Sequence, residues 1–167
     1  MSAFVVDTNV PVVANGKSEQ ADPDCVIACI DALGDIRANG LVVLDDAMLI
    51  LREYMNNLSM SGQPGAGDLF MKWVWSVQAD GNRCEQVRLT AHHSHEPDNF
   101  EEFPQDADLA EFDRSDRKFV AVALASRNKP VVLNAVDPDS AENYAALKRN
   151  GVTVRFLCPQ CVCPSGE

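Results

Sequence analysis

Short apolar runs alternate with longer amphipathic stretches along the whole chain. Ala3-Phe4-Val5-Val6 stops at Asp7, Leu41-Val42-Val43-Leu44 stops at Asp45, and Pro130-Val131-Val132-Leu133 stops at Asn134. Uninterrupted runs of this length with polar ends predict parallel strands buried on both faces. Residues 84–89 and 152–156 read as further short strands. Between them the apolar period lengthens to that of a helix. A helix over 23–36 starts at an Asp22 cap and turns Val26, Ile30 and Leu33 inward; another follows an Asp45 cap with Met48, Ile50, Leu51, Tyr54 and Leu58. Turn chemistry at 61–67 precedes a third helix, from Asp68 through Leu69, Phe70, Trp73, Val74 and Val77. Residues 92–105 are polar, acidic and marked by proline, and read as a long surface loop. The helix 116–125 is apolar nearly all round, which predicts a sandwiched position. Ser140 caps a last helix over 141–148 that ends at Asn150-Gly151. The pattern predicts one α/β domain over 1–157, with a central parallel sheet of four to five strands flanked by helices and a cysteine-containing tail at 158–167.

Composition supports this outline. Of 167 residues, 46% are apolar but only 7% aromatic, so Val, Leu, Ile and Ala must form the core. No apolar run approaches the roughly 18 residues of a membrane span. The N-terminus has no basic flank before its apolar stretch, which reads against a signal peptide. The expectation is a cytoplasmic protein with no membrane association. Six cysteines in that setting predict reduced thiols, with Cys25, Cys29 and Cys84 as buried structural residues.

A net charge of −11 has the wrong sign for passive binding to phosphate backbones. The charge is uneven, however. Residues 96–113 carry eight acids and no base, whereas 114–155 carry eight bases against four acids.

Candidate chemistry lies where the strands end. Asp7 follows the first strand, Asp45 and Asp46 the second, and Asp137 and Asp139 the run at 130–133. The carboxyl ends of an open parallel sheet share one edge, so acids distant in sequence converge there. Glu53 lies two helical turns past Asp45, and Asp116 opens the apolar helix. Clustered carboxylates repel, and Mg²⁺ or Mn²⁺, which prefer oxygen ligands, relieve that repulsion. Two such ions roughly 3.5–4 Å apart suit in-line hydrolysis of a phosphodiester, one activating water and the other stabilising the leaving oxygen. Taken singly, each acid reads equally as a helix cap or a solvated charge.

The segment Phe4-Val5-Val6-Asp7-Thr8-Asn9-Val10, the helical Glu53, Asp116-Arg117-Lys118-Phe119-Val120-Ala121-Val122-Ala123 and Val132-Leu133-Asn134-Ala135-Val136-Asp137-Pro138-Asp139 together resemble the PIN domain, a family of metal-dependent nucleases, over about residues 3–156. The resemblance implies a Mg²⁺- or Mn²⁺-dependent endoribonuclease that cleaves single-stranded or exposed RNA. Many such proteins are toxins of toxin–antitoxin modules, inhibited by a small protein partner, and many dimerise. It further implies Asp7, Glu53, Asp116 and Asp137 as catalytic metal ligands, Asp139 as an auxiliary ligand, and Asn9 as the residue that orients Asp7 by hydrogen bonding. Where the family often has Thr or Ser two positions before its fourth acid, this chain has Ala135. Asp113 is the alternative third ligand. Two other readings stand beside this one: a catalytically silent assembly module of the same fold, and a haloacid-dehalogenase-like phosphatase, which needs a second acid where this chain has Asn9.

Arg114, Arg117 and Lys118, with Arg127 and Lys129, read as RNA-backbone contacts or as a solvated helix face. His92-His93-Ser94-His95 suits a transition metal or proton transfer, or plain exposure. Cys158, Cys161 and Cys163 offer three thiolates where structural zinc wants four, with Cys84 or a loop histidine as candidates for the fourth. Trp73 and Trp75, with Phe70 and Val74, read as core or as a groove for a partner or second copy.

Overall fold

The computed structural model describes residues 1–92 and 96–162, so His93, His95 and Cys163 lie outside the described residues. Five strands form the sheet: β1 (Ala3–Val6), β2 (Leu41–Asp45), β3 (Cys84–Val87), β4 (Val131–Asn134) and β5 (Thr153–Phe156). They pair in parallel throughout, in the order β3-β2-β1-β4-β5, with Phe4 opposite both Val42 and Val131. The α/β class with a helix-flanked parallel sheet follows directly from the apolar runs. From β1 the chain steps outward through β2 to β3, then returns to lay β4 on the other side of β1. The strand order therefore reverses between β1 and β4, where an open sheet leaves a crevice at its carboxyl edge.

Around the sheet, α1 (Asn9–Ala14), α2 (Pro23–Asn39) and α4 (Ala66–Val77) pack against one another, and α5 (Arg117–Ala125) lies across β2, β1 and β4. The α5 side chains from Arg117 to Ala123 are all buried, as its apolar circumference requires. Helix α3 (Leu49–Asn57) joins β2 to α4. Among the described residues, no helix is long and apolar enough to cross a membrane.

Several details differ from expectation or add to it. Helix α2 begins at the Asp22 cap, whose carboxylate accepts from Cys25 N at 2.7 Å, but its buried stripe is Cys25, Cys29, Leu33 and Ile36. Ile30 is left 39% exposed, because the small apolar thiols take the inward positions. Within the expected surface loop 92–105, the described residues 96–105 are anchored: Ala91 bridges Phe100, and Phe100 and Phe103 are buried. The last helical stretch is two pieces, α6 (Pro138–Glu142) and α7 (Tyr144–Arg149), divided at Asn143. Asp137, rather than Ser140, caps the first of them. Finally, the tail as far as α8 (Pro159–Val162) packs onto the domain, with Cys158 and Val162 buried. Cys158 meets the first turn of α2 and forms a disulfide with Cys25 across a Cα separation of 5.2 Å, which corrects the expectation of free thiols at both positions.

Candidate active site

At the β1/β4 reversal the structure brings together carboxylates from four parts of the chain. Asp7 N continues the ladder by donating to Leu133 O at 3.0 Å, so its side chain emerges at the carboxyl edge of β1. Asn9 N donates to Asp7 Oδ1 at 3.0 Å. The Asn9 side chain turns the other way and accepts from Ala135 N at 2.9 Å, tying the end of β1 to that of β4. Asn9 thus holds Asp7 through its backbone, and its amide positions the loop that carries Asp137. Tyr54 Oη donates to Val6 O and fixes α3 against the same strand end.

Glu53, one residue earlier on α3, accepts from Thr8 Oγ1 and, at 2.9 Å, from Lys118 Nζ. Asp116 precedes α5, and no donor among the described residues meets its carboxylate. Asp137 follows the β4 edge and caps α6, accepting from Asp139 N at 2.9 Å, Ser140 N at 3.2 Å and Ser140 Oγ at 2.9 Å. A cleft of about 300 Å³ is lined by Asp7, Thr8, Asn9, Val12, Glu53, Asn57 and Asp116.

Burial, and then the neighbouring Asp116, push the Asp7 carboxyl well above its usual range; Asp137 and Glu53 add to the rise and the Asn9 N–H opposes it. Burial, with repulsion from Asp137, Asp113 and Glu53, raises Asp116 to about 7 against the pull of Lys118. Asp7 and Asp116 are therefore within electrostatic reach of Asp137 and Glu53, and Asp116 acts on Asp7. Asp7 and Asp116 present carboxylate oxygens that no protein donor satisfies, which is the donor set a hard divalent cation takes. Glu53 and Asp137 have lone pairs remaining beyond their present bonds, so the chemistry of the donor set suits Mg²⁺ or Mn²⁺, although no three of these carboxylates bring ligand oxygens within 4.8 Å of one another.

Other acids named from the sequence serve the scaffold. Asp45 is buried, with both oxygens taken by Ala47 N, Leu49 N and Ile50 N at 2.9–3.0 Å. Asp46 is exposed. Asp139 accepts from Asp113 N at 2.9 Å and from Asn143 Nδ2 at 3.0 Å, so it braces the turn before α5 rather than joining the cleft. Asp113 caps that turn through Ser115 N and Oγ, and those bonds hold its carboxyl below the usual range.

The basic residues also sort differently from expectation. Arg117 is buried beneath residues 99–112, donating to Phe112 O and Ala110 O and lying 4.7 Å from the centroid of the Phe103 ring. Its hydrogen bonds lock a loop and are closed to RNA. Lys118 is buried at the site as the ammonium partner of Glu53, with a second bond to Ser115 O. Arg114 is exposed and pairs with Glu96 at 2.9 Å. Arg127 and Lys129 are exposed at the opposite end of α5 from Asp116.

Sequence reasoning missed Thr8 and the internal role of Lys118. Adjacency to Asp7 is the only signal for the first. For the second, the i, i+2 spacing from Asp116 places a cation beside the acid, but the partner on α3 is visible only in three dimensions. Comparison with known proteins yields no match: no family model, curated protein or solved structure is significantly similar to this chain.

Proposed function

We propose that the chain is a metal-dependent endoribonuclease of the PIN type, hydrolysing phosphodiester bonds of single-stranded or exposed RNA in the cytoplasm. One observation carries the reading: a buried strand-end carboxylate, Asp7, is faced by Asp116, Asp137 and Glu53 from three other elements at the point where the strand order reverses. Acids used only as caps or surface charges have no reason to gather where they repel.

Asp7, Asp116, Glu53 and Asp137 would hold Mg²⁺ or Mn²⁺. Such an ion supplies Lewis-acid polarisation of the phosphate and a more acidic water. The protein's own groups set the geometry. Asn9 N fixes the Asp7 carboxylate, Thr8 and Lys118 fix both oxygens of Glu53, and the α6 cap fixes Asp137. Lys118 also brings a positive charge against Glu53 on the cleft wall, partly offsetting the acids that otherwise repel an RNA backbone.

The test is cleavage of an unstructured, end-labelled RNA by the purified protein with and without added Mn²⁺, beside calorimetric Mn²⁺ titration. Metal-dependent endonucleolytic products are expected, and Asp7→Asn or Asp116→Asn should lower the rate by about 10²-fold or more through loss of a metal ligand. Asp113→Asn should retain most activity. Absence of Mn²⁺ binding, or activity indifferent to both substitutions, would leave the silent assembly module as the better account.

A further inference from the structure

A second constellation shares no residue with the acidic cleft. Cys25 and Cys29 are one helical turn apart on the inner face of α2, and both are fully buried. Cys158 is also fully buried, and the sulfurs of Cys25, Cys29 and Cys158 all lie within 4.8 Å of one another. Cys158-Pro159-Gln160-Cys161 then folds into a tight turn, with Cys161 N donating to Cys158 O at 2.9 Å. This turn carries Cys161 back toward Cys29, whose thiol its charge helps to raise, although its sulfur stands outside the group of three that lie within 4.8 Å of one another. Gln160 Nε2 lies 3.3 Å from the α2 cap, Asp22 Oδ1, and fastens the turn over the helix start.

The geometry points to a tetrathiolate zinc site formed by Cys25, Cys29, Cys158 and Cys161. Two cysteine pairs, one three residues apart in a proline-bearing turn and one four apart on a helix, meet face to face. A structural Zn²⁺ takes four thiolates at about 2.3 Å, which places the sulfurs roughly 3.8 Å apart in a tetrahedron; three of the four lie within 4.8 Å of one another here, and Cys161 closes on them once the disulfide opens. A disulfide between Cys25 and Cys158 explains only two of the four. It leaves Cys29 buried against the bond and gives the Cys161 turn no purpose. Cys84, the other buried thiol, sits on β3 at the opposite edge of the sheet from β5 and cannot contribute.

The disulfide and the zinc site are alternative states of the same sulfurs. An external dithiol gives two electrons and two protons to the Cys25–Cys158 bond and is itself oxidised to a disulfide. The four resulting thiols release four protons as Zn²⁺ binds. In a reducing compartment the metal form fastens the last turn of the chain to α2, joining segments 133 residues apart.

The experiment uses the full chain, purified with a dithiol reductant and no chelator, with metal content measured by atomic emission. One zinc per chain is expected. Exchange for Co²⁺ should give the intense near-ultraviolet thiolate-to-metal absorption, which carboxylate ligands in the acidic cleft cannot produce. Removing even a group that supports a ligand costs metal affinity about 10–100-fold, so Cys161→Ser and Cys29→Ser should each weaken Zn²⁺ binding by more than about tenfold. Cys84→Ser should leave it unchanged. Cys161 is half-buried near the chain end, so its variant is expected to fold, which circular dichroism checks. A folded chain without zinc or thiolate–Co²⁺ absorption, or full zinc affinity in Cys161→Ser, would overturn the site. A Cys25–Cys158 disulfide persisting under the same reductant would do so as well.

Discussion

Asp116 has no hydrogen-bond donor among the described residues and three carboxylates acting on it, and this combination makes it the most revealing titrating group in the chain. Its carboxyl is raised to about 7, so with no divalent ion the folded protein holds this proton more tightly than the unfolded chain, whose Asp titrates near 3.8. The sign follows from linkage: the folded state binds more protons between those values, so stability falls as pH rises through the interval. Asp7 works in the same direction. Asp68 works the other way: although burial opposes its ionisation, bonds from Ser59 N, Gly65 N and Asn15 hold it below its usual range, so its contribution is lost only in stronger acid. Urea midpoints of protein dialysed free of Mg²⁺ and Mn²⁺ should therefore fall between about pH 4 and about pH 7. Asp116→Asn should flatten that slope. An unchanged slope in the variant would show that Asp116 does not carry the proton.

Helix α3 shows how one capping residue serves the site from a distance. Asp45 leaves β2 and accepts three backbone N–H groups at the helix start, with both oxygens buried. Eight residues later the same helix delivers Glu53 to the cleft and Tyr54 to the end of β1. Asp45→Ala strands these donors, so the cost should reach or exceed the upper part of the roughly 0.5–2 kcal/mol typical of a lost cap. Cleavage should also fall although Asp45 touches no ligand, whereas an exposed neighbour, Asp46→Ala, should change neither. Denaturation midpoints and RNA cleavage measured on both variants check this. The change of apolar period marks Asp45 as the N-cap, but the N-cap position is Met48, at φ 67°, and Asp45 reaches the helix start from three residues earlier through its side chain. The phase of α2 was not readable: Val26, Ile30 and Leu33 form as plausible a stripe as the one buried, and only the neighbouring α1 and α4 and the returning chain end choose between them. Helix α1 escaped notice altogether, because its six residues contain Pro11 and no helical period can be counted over so short a span. The break at Asn143 likewise depends on Asp139, whose carboxylate and backbone carbonyl both hold the Asn143 amide.

The order β3-β2-β1-β4-β5 was not written in any one segment, yet it decides which strand ends flank that of β1. With β4 beside β1, Asp137 joins Asp7, while Asp45 and Asp46 are left on the far side of β1 as scaffold and surface. The shared carboxyl edge alone predicts all of them together; since β2 neighbours β1 just as β4 does, what sets Asp45 apart is that three backbone N–H groups occupy its carboxylate. The ligands also have different structural debts. Asp116 has no donor among the described residues, Asp7 has only Asn9 N, and the two repel each other, whereas Asp137 caps α6. A cation bound only by the folded cleft stabilises by about 2.7 kcal/mol at 100 times its dissociation constant, so Mn²⁺ should raise the melting temperature of the wild-type chain. Asp7→Asn should abolish most of that rise while leaving the chain without added Mn²⁺ as stable as wild type or more so, since it removes a buried repelling charge. Asp137→Ala should also blunt the Mn²⁺ response but lower stability without it, because the α6 donors lose their acceptor, at a cost of about 1 kcal/mol. Thermal melts of the three proteins at several Mn²⁺ concentrations separate these cases. An Asp7→Asn chain that melts lower without Mn²⁺ and keeps the full Mn²⁺ rise would make Asp7 a structural acceptor, and the convergence of acids at the strand reversal would then have no metal to explain.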